Sequence, residues 1–196
     1  AGAFYNYFVP RTKKLMIASS ANKEILDEIS ISNQLNPYFI PETLMIDANT
    51  FIYTDINEQN LAGLLYYNRS TKTIKPLFKS AENGTRIDIC LYKNDLIIGE
   101  FTYAGLNRVS NIYKMKATGN IMKNSIDRIY SSQNADIGNL VCTEKNIYFI
   151  KDLGSNGPQN NRITELFTLN PENKKLKKIS NLKKVFQVIN MDGRVI

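Results

Sequence analysis

The chain has 196 residues, 43% of them hydrophobic, so it can bury a core and is too short to require more than one or two domains. Its 25 Lys and Arg residues against 18 Asp and Glu residues give a formal charge of +7. Histidine is absent, which excludes Ser-His-Asp and Cys-His catalytic relays and His-ligated zinc, copper or non-haem iron sites within the chain.

The first predicted element is an outer β-hairpin, or half blade, over residues 4–17. Its segment 8–15 matches 169–176, since both read as an apolar residue, any residue, Pro, two polar residues and Lys-Lys-Leu.

The segment that follows, 18–43, is less regular. Apolar residues at helical spacing over 21–29 favour a short helix, whereas Ile29, Ile31 and the later prolines suit a strand and a long connection. We predict an irregular linker or a short helix for this segment.

One block of sequence then occurs three times, at 45–55, 90–100 and 142–152. Each copy is an apolar strand, a short turn around Asn, and a second strand rich in Phe, Ile and Tyr that ends on a carboxylate. The central residues, Asn49, Asn94 and Asn146, are 45 and then 52 positions apart.

A second block follows each copy of the first, at 60–66, 107–113 and 161–167, and leads through a polar turn into a fourth strand. In the middle copy we place that fourth strand at Ile121 and Met122. Four antiparallel strands that recur at this interval are typical of a β-propeller blade.

The predicted fold is therefore all-β, a β-propeller of four-stranded antiparallel blades with about four blade equivalents. We place the blades at about 44–79, 87–127 and 138–180, with a second half blade at 185–196. The whole chain, 1–196, is interpreted as a single propeller domain or as a fragment of a larger propeller.

The blade motifs also resemble a known class of repeats. Asp152 with Asn161-Arg162, and Glu100 with Asn107-Arg108, each followed by an aliphatic-aromatic pair, resemble bacterial propeller repeats of the TolB-like and WD40-like type. The resemblance covers about residues 45–196 and reaches the repeat class, not one protein. It implies an extracytoplasmic bacterial protein (periplasmic, cell-surface or secreted) with a scaffold or protein-binding role. The chain departs from true WD40 repeats, since it has neither Trp nor His, and it has no sialidase-type Asp box.

Three carboxylates, Asp55, Glu100 and Asp152, end equivalent strands of the three blades. Carboxylates repeated around a ring could converge for acid-base chemistry or cation binding. Because the rotation between blades carries equivalent positions apart, we expect each one instead to accept hydrogen bonds from a neighbouring turn. No catalytic, metal or cofactor site is predicted.

The candidate partner-binding residues lie where the two hairpins of a blade are connected. Arg108 and Arg162 occupy matching positions and could hold an acidic partner or a carboxylate ligand. The alternative is that each Arg covers an aromatic ring and pairs with a carboxylate of an adjacent blade. The connections 101–106 and 153–161 are predicted loops on one face. The remaining candidates there are Tyr103, Asn107, Asn156 and Asn161.

Other features limit the functional class. Cys90 and Cys142 lie in apolar runs, and we predict small buried hydrophobic residues there, with neither a redox motif nor a disulfide framework. No apolar stretch reaches the roughly 18 residues of a membrane span. Because no nucleic-acid module accompanies the scattered basic residues, they indicate a solvated face.

The favoured function is a non-catalytic binding or scaffold module for a protein or polysaccharide partner, without a cofactor. The alternative is a propeller-type polysaccharide hydrolase or lyase that uses His-free carboxylate, Tyr or Arg chemistry.

Overall fold

The computed structural model describes residues 4–31, 41–57, 61–83, 85–104, 107–118, 120–156, 161–179, 190–191 and 194–195. The chain divides into two compact units, unit 1 from Ala1 to Asn83 and unit 2 from Gly84 to Ile196. Every regular element in the described ranges is a β-strand, apart from one 3-10 turn at Ile121–Lys123.

Unit 1 contains two antiparallel meanders in which consecutive strands are neighbours. The first has three strands: β1 (Phe4–Val9), β2 (Lys14–Ser19) and β3 (Ile25–Ser30). The second has four: β4 (Thr43–Asp47), β5 (Thr50–Ile56), β6 (Leu61–Asn68) and β7 (Thr73–Asn83).

Unit 2 repeats the four-stranded meander twice. One sheet comprises β8 (Arg86–Tyr92), β9 (Asp95–Ala104), β10 (Asn107–Lys116) and β11 (Asp127–Gln133). The next comprises β12 (Asp136–Cys142), β13 (Ile147–Asn156), β14 (Asn161–Leu169) and β15 (Leu176–Lys178). A short hairpin, β16 (Asn190–Met191) with β17 (Arg194–Val195), follows.

The core of each unit lies between two neighbouring sheets. Residues of β2, β3, β5 and β6 form one buried cluster in unit 1, and residues of all four strands of the β8–β11 sheet meet β12, β13 and β14 in unit 2. β5 and β9, the second strands of two of the four-stranded sheets, are buried on both faces, which explains why they read as nearly continuous apolar runs. At the sheet edge, β15 is short, exposed and rich in Lys, a composition that discourages pairing with another chain.

Gly99 of β9 lies where the Leu140 side chain of β12 packs against the strand. A Cβ at this position would lie 2.5 Å from Cδ1 of Leu140, a contact that folded proteins do not tolerate without a shift. The absence of a side chain on β9 therefore leaves the space that Leu140 of β12 fills.

The segment predicted as an irregular linker or short helix contains a strand, and the opening half blade is a three-stranded sheet. In β3 the inward positions are Asp27 and Ile29, with Ile31 next, and the positions between them are exposed. A charged residue at an inward position breaks the expected apolar alternation. The remaining apolar residues then have a spacing typical of a helix.

The fourth strand of the middle blade is also displaced from its predicted place. Ile121 and Met122 belong to the 3-10 turn, and the strand is β11, which pairs with β10. Ile121 is buried and anchors the turn, while the Asn124 side chain donates hydrogen bonds to the carbonyls of Lys116 and Thr118, at 2.8 and 3.1 Å. The apolar pair therefore marks an anchored turn rather than a strand.

The prediction for the two cysteines is wrong, because Cys90 and Cys142 form a disulfide with their Cα atoms 5.7 Å apart. Cys90 lies on β8 and Cys142 on β12, the first strands of the two sheets of unit 2, which are in contact. The backbone N–H of Asn139 on β12 also donates to Asp88 on β8, at 2.9 Å. A separation of 52 residues in sequence does not reveal that these two strands are neighbours.

Candidate functional site

Two β-ribbons project from the sheets of unit 2. The β9–β10 ladder continues to the pairs Tyr103↔Arg108 and Ala104↔Asn107, whereas β8 begins only at Arg86, opposite Phe101 of β9. The β13–β14 ladder continues to the pairs Ser155↔Arg162 and Asn156↔Asn161, whereas β12 begins at Asp136, opposite Asp152. We call residues 103–104 with 107–108 the first ribbon, and residues 155–156 with 161–162 the second ribbon.

The ribbons replace most of the two predicted loops. Residues 101–104, 153–156 and 161 belong to strands, and residues 105–106 and 157–160 lie outside the described part of the structure. Gly, Ser and Asn are poor strand formers, so the sequence favours a loop here. Backbone hydrogen bonds between antiparallel strands can nevertheless continue where side chains contribute little.

All six predicted binding residues lie on these two ribbons. Arg108 has a described side chain. The side chains of the other five residues lie outside the described part of the structure, although the backbone register of each is known: Tyr103, Asn107, Asn156, Asn161 and Arg162. The two Arg residues occupy matching positions, since each lies one pair below the last described pair of its ribbon.

Arg108 is held at the base of the first ribbon by a neighbouring sheet. Its Nη1 donates to Oδ2 of Asp136 over 3.4 Å, and the Asp136 side chain is 10% exposed while that of Arg108 is 39% exposed. This pairing corresponds to one part of the alternative stated for Arg108, a carboxylate partner on an adjacent sheet. The guanidinium is therefore anchored at one nitrogen and still partly accessible to solvent.

The segment that leads from β11 into β12 is clamped against β10. The N–H of Asn134 donates to the Arg108 carbonyl at 2.7 Å. Ser110 is fully buried, and its hydroxyl donates to the Ala135 carbonyl at 2.8 Å and accepts from the N–H of Ile137 at 3.2 Å. These bonds fix the position of Asp136 relative to Arg108, so the ion pair forms on a rigid base.

A bulge at the base of the second ribbon brings that ribbon to Arg108. The register of β13 and β14 shifts between Asp152 and Ser155, and Gly154 has φ +85°, a conformation that favours glycine. Oδ1 of Asp152 accepts the Gly154 N–H at 2.8 Å, which fixes the bulge. A Cβ on Gly154 would lie 3.6 Å from Nη1 of Arg108, so the guanidinium packs beside the bulge backbone.

Each of the three equivalent strand-end carboxylates accepts a hydrogen bond from a group in its own sheet. Asp55 accepts the N–H of Ile56 at 2.8 Å, and Asp152 accepts that of Gly154. Glu100 accepts bonds from the Asn111 amide at 3.2 Å and from the Tyr113 hydroxyl at 2.9 Å.

Burial, together with the hydrogen bond to Glu100, raises the pKa of Tyr113 to about 12. The phenol therefore stays protonated at neutral pH and continues to donate to Glu100.

Unit 1 contains a buried ionic cluster that was not predicted from the sequence. Asp27 accepts hydrogen bonds from Nε of Arg69 at 2.8 Å, from the Tyr67 hydroxyl at 3.1 Å and from Nζ of Lys72. Burial alone would raise the pKa of Asp27, but the bonds from Lys72, Arg69 and Tyr67 hold it below its usual value. The signal available in the sequence is that Asp27 precedes Ile29 and Ile31 at every second position, so it shares their face if the segment is a strand.

The described residues contain no group of three or more Cys, Asp and Glu side chains placed to hold a metal ion. In the same ranges, no helix is long and apolar enough to cross a membrane.

No protein-family model matches this chain, and no curated protein matches it in sequence. Solved β-propellers are similar to it in structure. The propeller domain of the Trilobed protease from Pyrococcus furiosus, described as having an open velcro topology, matches with a TM-score of 0.59 and 12% identity, over 93% of this chain and 52% of that one. TolB from Acinetobacter baumannii matches with a TM-score of 0.52 and 13% identity, over 90% of this chain and 41% of that one.

These matches concern the fold, which is all-β with TolB-like propeller blades, as the sequence predicts. The chain spans about half or less of the length of either solved structure.

Proposed function

We propose that this chain is a non-catalytic propeller module that binds a protein partner through the two ribbons of unit 2. The supporting observation is the state of Arg108, which is anchored to Asp136 and remains 39% exposed. An Arg side chain that is already held in place loses less conformational entropy when it binds a carboxylate. Arg162 at the matching position of the second ribbon would provide a second cation for the same acidic partner.

The sheets below the ribbons act as a support in this proposal. The clamp around Ser110 and the bulge at Gly154 tie both ribbons to the core of unit 2. Binding residues that project from a rigid β-scaffold are a common arrangement in recognition domains. The disulfide between Cys90 and Cys142 supports an extracytoplasmic location, because disulfides persist in oxidising compartments.

Site-specific photo-cross-linking tests this function. A photoreactive residue at position 156, on the second ribbon, should yield a discrete protein adduct in an extract of the source organism. The same residue at position 11, an exposed turn position of unit 1, serves as the control. Arg162→Glu should reduce the adduct at 156 by at least tenfold, if one charged contact contributes about 1.5–3 kcal/mol. Equal adducts at 156 and 11 would count against the proposal.

The structure also provides one observation for the alternative, a polysaccharide hydrolase. Asp136 and Asp152 are directly opposite each other on β12 and β13. Directly opposed residues in antiparallel strands lie side by side, and glycosidases use a pair of neighbouring carboxyl groups. Both residues are more than 90% buried and hydrogen-bonded, which favours a structural role. Turnover of a glycan that disappears in Asp152→Asn would establish the enzymatic alternative.

A further inference from the structure

The end of unit 2 opposite the ribbons is formed by four turns. Lys116 pairs with Asp95 in the β9–β10 ladder, so the β8–β9 and β10–β11 turns lie together. Ile147 pairs with Leu169, so the β12–β13 and β14–β15 turns lie together as well. Nζ of Lys114 donates to the Pro171 carbonyl at 3.2 Å, which joins the two pairs of turns. We call residues 92–95, 114–118, 120–126, 143–146 and 170–176 the turn end.

The turn end is strongly basic. It contains seven lysines and three carboxylates, a net charge of four positive. The lysines are Lys93, Lys114, Lys116, Lys123, Lys145, Lys174 and Lys175. More than half of the formal charge of +7 of the chain is therefore concentrated on one end of one unit.

Ion pairs at the turn end leave this excess accessible. Nζ of Lys116 lies 2.7 Å from Asp95, and Nζ of Lys93 lies 3.3 Å from Glu172. The side chains of these two lysines are nevertheless 65% and 55% exposed. Lys174 and Lys175 are exposed at the tip of the β14–β15 turn. Six of the seven lysines, all but Lys114, are therefore exposed at the turn end, where a negatively charged surface can approach them.

Exposed apolar side chains accompany the lysines. Met122 and Ile126, in the β10–β11 connection, are 37% and 38% exposed, and Leu176, at the end of the β14–β15 turn, is 39% exposed. The connection that presents Met122 is fixed by the buried Ile121 and by the hydrogen bonds of Asn124. Both sides of the turn end thus display aliphatic groups next to lysine ammonium groups.

We propose that the turn end docks unit 2 onto the surface of a bilayer that contains anionic lipids. Lysines near such a surface gain electrostatic free energy, and aliphatic groups beside them can enter the interfacial region. A nucleic acid fits this surface less well. The turn end carries no Arg, and its one aromatic residue, Tyr92, is 1% exposed, so neither a guanidinium fork nor a stacking platform is present.

Co-sedimentation of the full chain with vesicles tests the proposal. Vesicles of phosphatidylglycerol and phosphatidylcholine should retain the protein at low salt, and vesicles of phosphatidylcholine alone should not. The double variant Lys174→Gln with Lys175→Gln should weaken binding by roughly 20-fold or more, since each lysine near an anionic surface contributes about fivefold. The double variant Met122→Ser with Ile126→Ser should also weaken it, by several-fold, because it removes the apolar contribution.

A matched control changes two exposed lysines of unit 1, Lys23→Gln with Lys75→Gln, and should leave vesicle binding within twofold of the wild type. Circular dichroism of each variant verifies that the β-structure is retained. Equal binding to both kinds of vesicle, or no binding to either, overturns the proposal. A third outcome also overturns the proposal: the Met122 and Ile126 changes leave vesicle binding intact, and a soluble polyanion abolishes that binding. The turn end would then be a general surface for polyanions.

Discussion

Replacing Asp27 by Asn tests the ionic cluster that joins the two sheets of unit 1. Asp27 is on β3 of the first sheet, while Arg69 and Lys72 are in the β6–β7 turn of the second. The Asp27 side chain is 5% exposed, and that of Arg69 is 16% exposed. Asn keeps the shape of the side chain and removes its charge, so the change isolates the electrostatic contribution.

The expected loss of unfolding free energy is about 3 kcal/mol. A hydrogen bond to a charged partner contributes roughly 1.5–3 kcal/mol, and Arg69 would keep its charge in a nearly buried place without its carboxylate. The Lys72 side chain is 61% exposed, so solvent screens its pairing, and that pairing is left out of the sum. The bond from Tyr67 can persist to the Asn carbonyl, and it is left out of the sum.

Urea unfolding, followed by circular dichroism because the chain has no Trp, measures this loss. Glu28→Gln is the matched control, since Glu28 is the next residue on β3 and its pair with Lys14 is 45% and 40% exposed. The control should cost less than about 0.5 kcal/mol. If Asp27→Asn lowers the unfolding free energy no more than Glu28→Gln does, the ionic cluster does not stabilise unit 1 as described.

The difference in unfolding free energy between the wild type and Asp27→Asn should depend on pH. The pKa of Asp27 is lowered in the folded protein, so its ionised form stabilises the fold above the usual carboxyl pKa. That contribution is lost as the pH falls through the lowered pKa. The difference in stability between wild type and Asp27→Asn should therefore be greatest near neutral pH and should shrink on acidification below about pH 4.

Three further changes test other parts of the account. Removing the disulfide with Cys90→Ala and Cys142→Ala should lower stability by about 4 kcal/mol, since it releases a closed loop of 52 residues, and only the wild type should then respond to a reductant in thermal unfolding. Gly99→Ala should cost about 2 kcal/mol in urea unfolding because it displaces Leu140, and the cost should be smaller in a Leu140→Ala background. Tyr113 has a folded pKa of about 12, above its usual 10, so it stabilises the fold below pH 10 and loses this effect toward pH 12. Tyr113→Phe should reduce the decrease in unfolding free energy between pH 10 and pH 12 by an amount on the order of 1 kcal/mol, after a discount for solvent screening. An unchanged dependence of stability on pH in this range would contradict the role given to Tyr113.

The blade pattern was predictable from the sequence because it depends on local rules. Turns around Asn94 and Asn146 lie between apolar strands that are recognisable from composition alone, and their recurrence identifies the repeat. The hairpin before Leu176 was predictable for the same reason, since Pro171 and the lysines after it mark a turn.

The features that escaped prediction depend on contacts between sheets. Asp27 occupies an inward position because Arg69 and Lys72 reach it from the next sheet. The apolar alternation typical of a strand is therefore interrupted in β3, and the strand was not predicted. The pairing of Cys90 with Cys142 requires the first strands of two sheets to be neighbours, which no local rule indicates. At the candidate site, the matching positions of the Arg residues were visible in the sequence, whereas the anchoring of Arg108 by Asp136 was one of two open alternatives.

The central functional proposal is that the two ribbons bind a protein partner, and shortening the second ribbon is the most direct test. Gly154 must be retained, because its N–H bonds to Asp152 and its conformation forms the bulge. A variant in which residues 156–161 are replaced by Asn-Gly would join Ser155 to Arg162 through a two-residue turn and keep the register of the pairs below. Combined with Arg162→Ala, which removes the second cation of the proposed site, this replacement should raise the dissociation constant of the cross-linked partner at least tenfold while the unfolding midpoint stays within experimental error. An unchanged dissociation constant would contradict recognition by the ribbons.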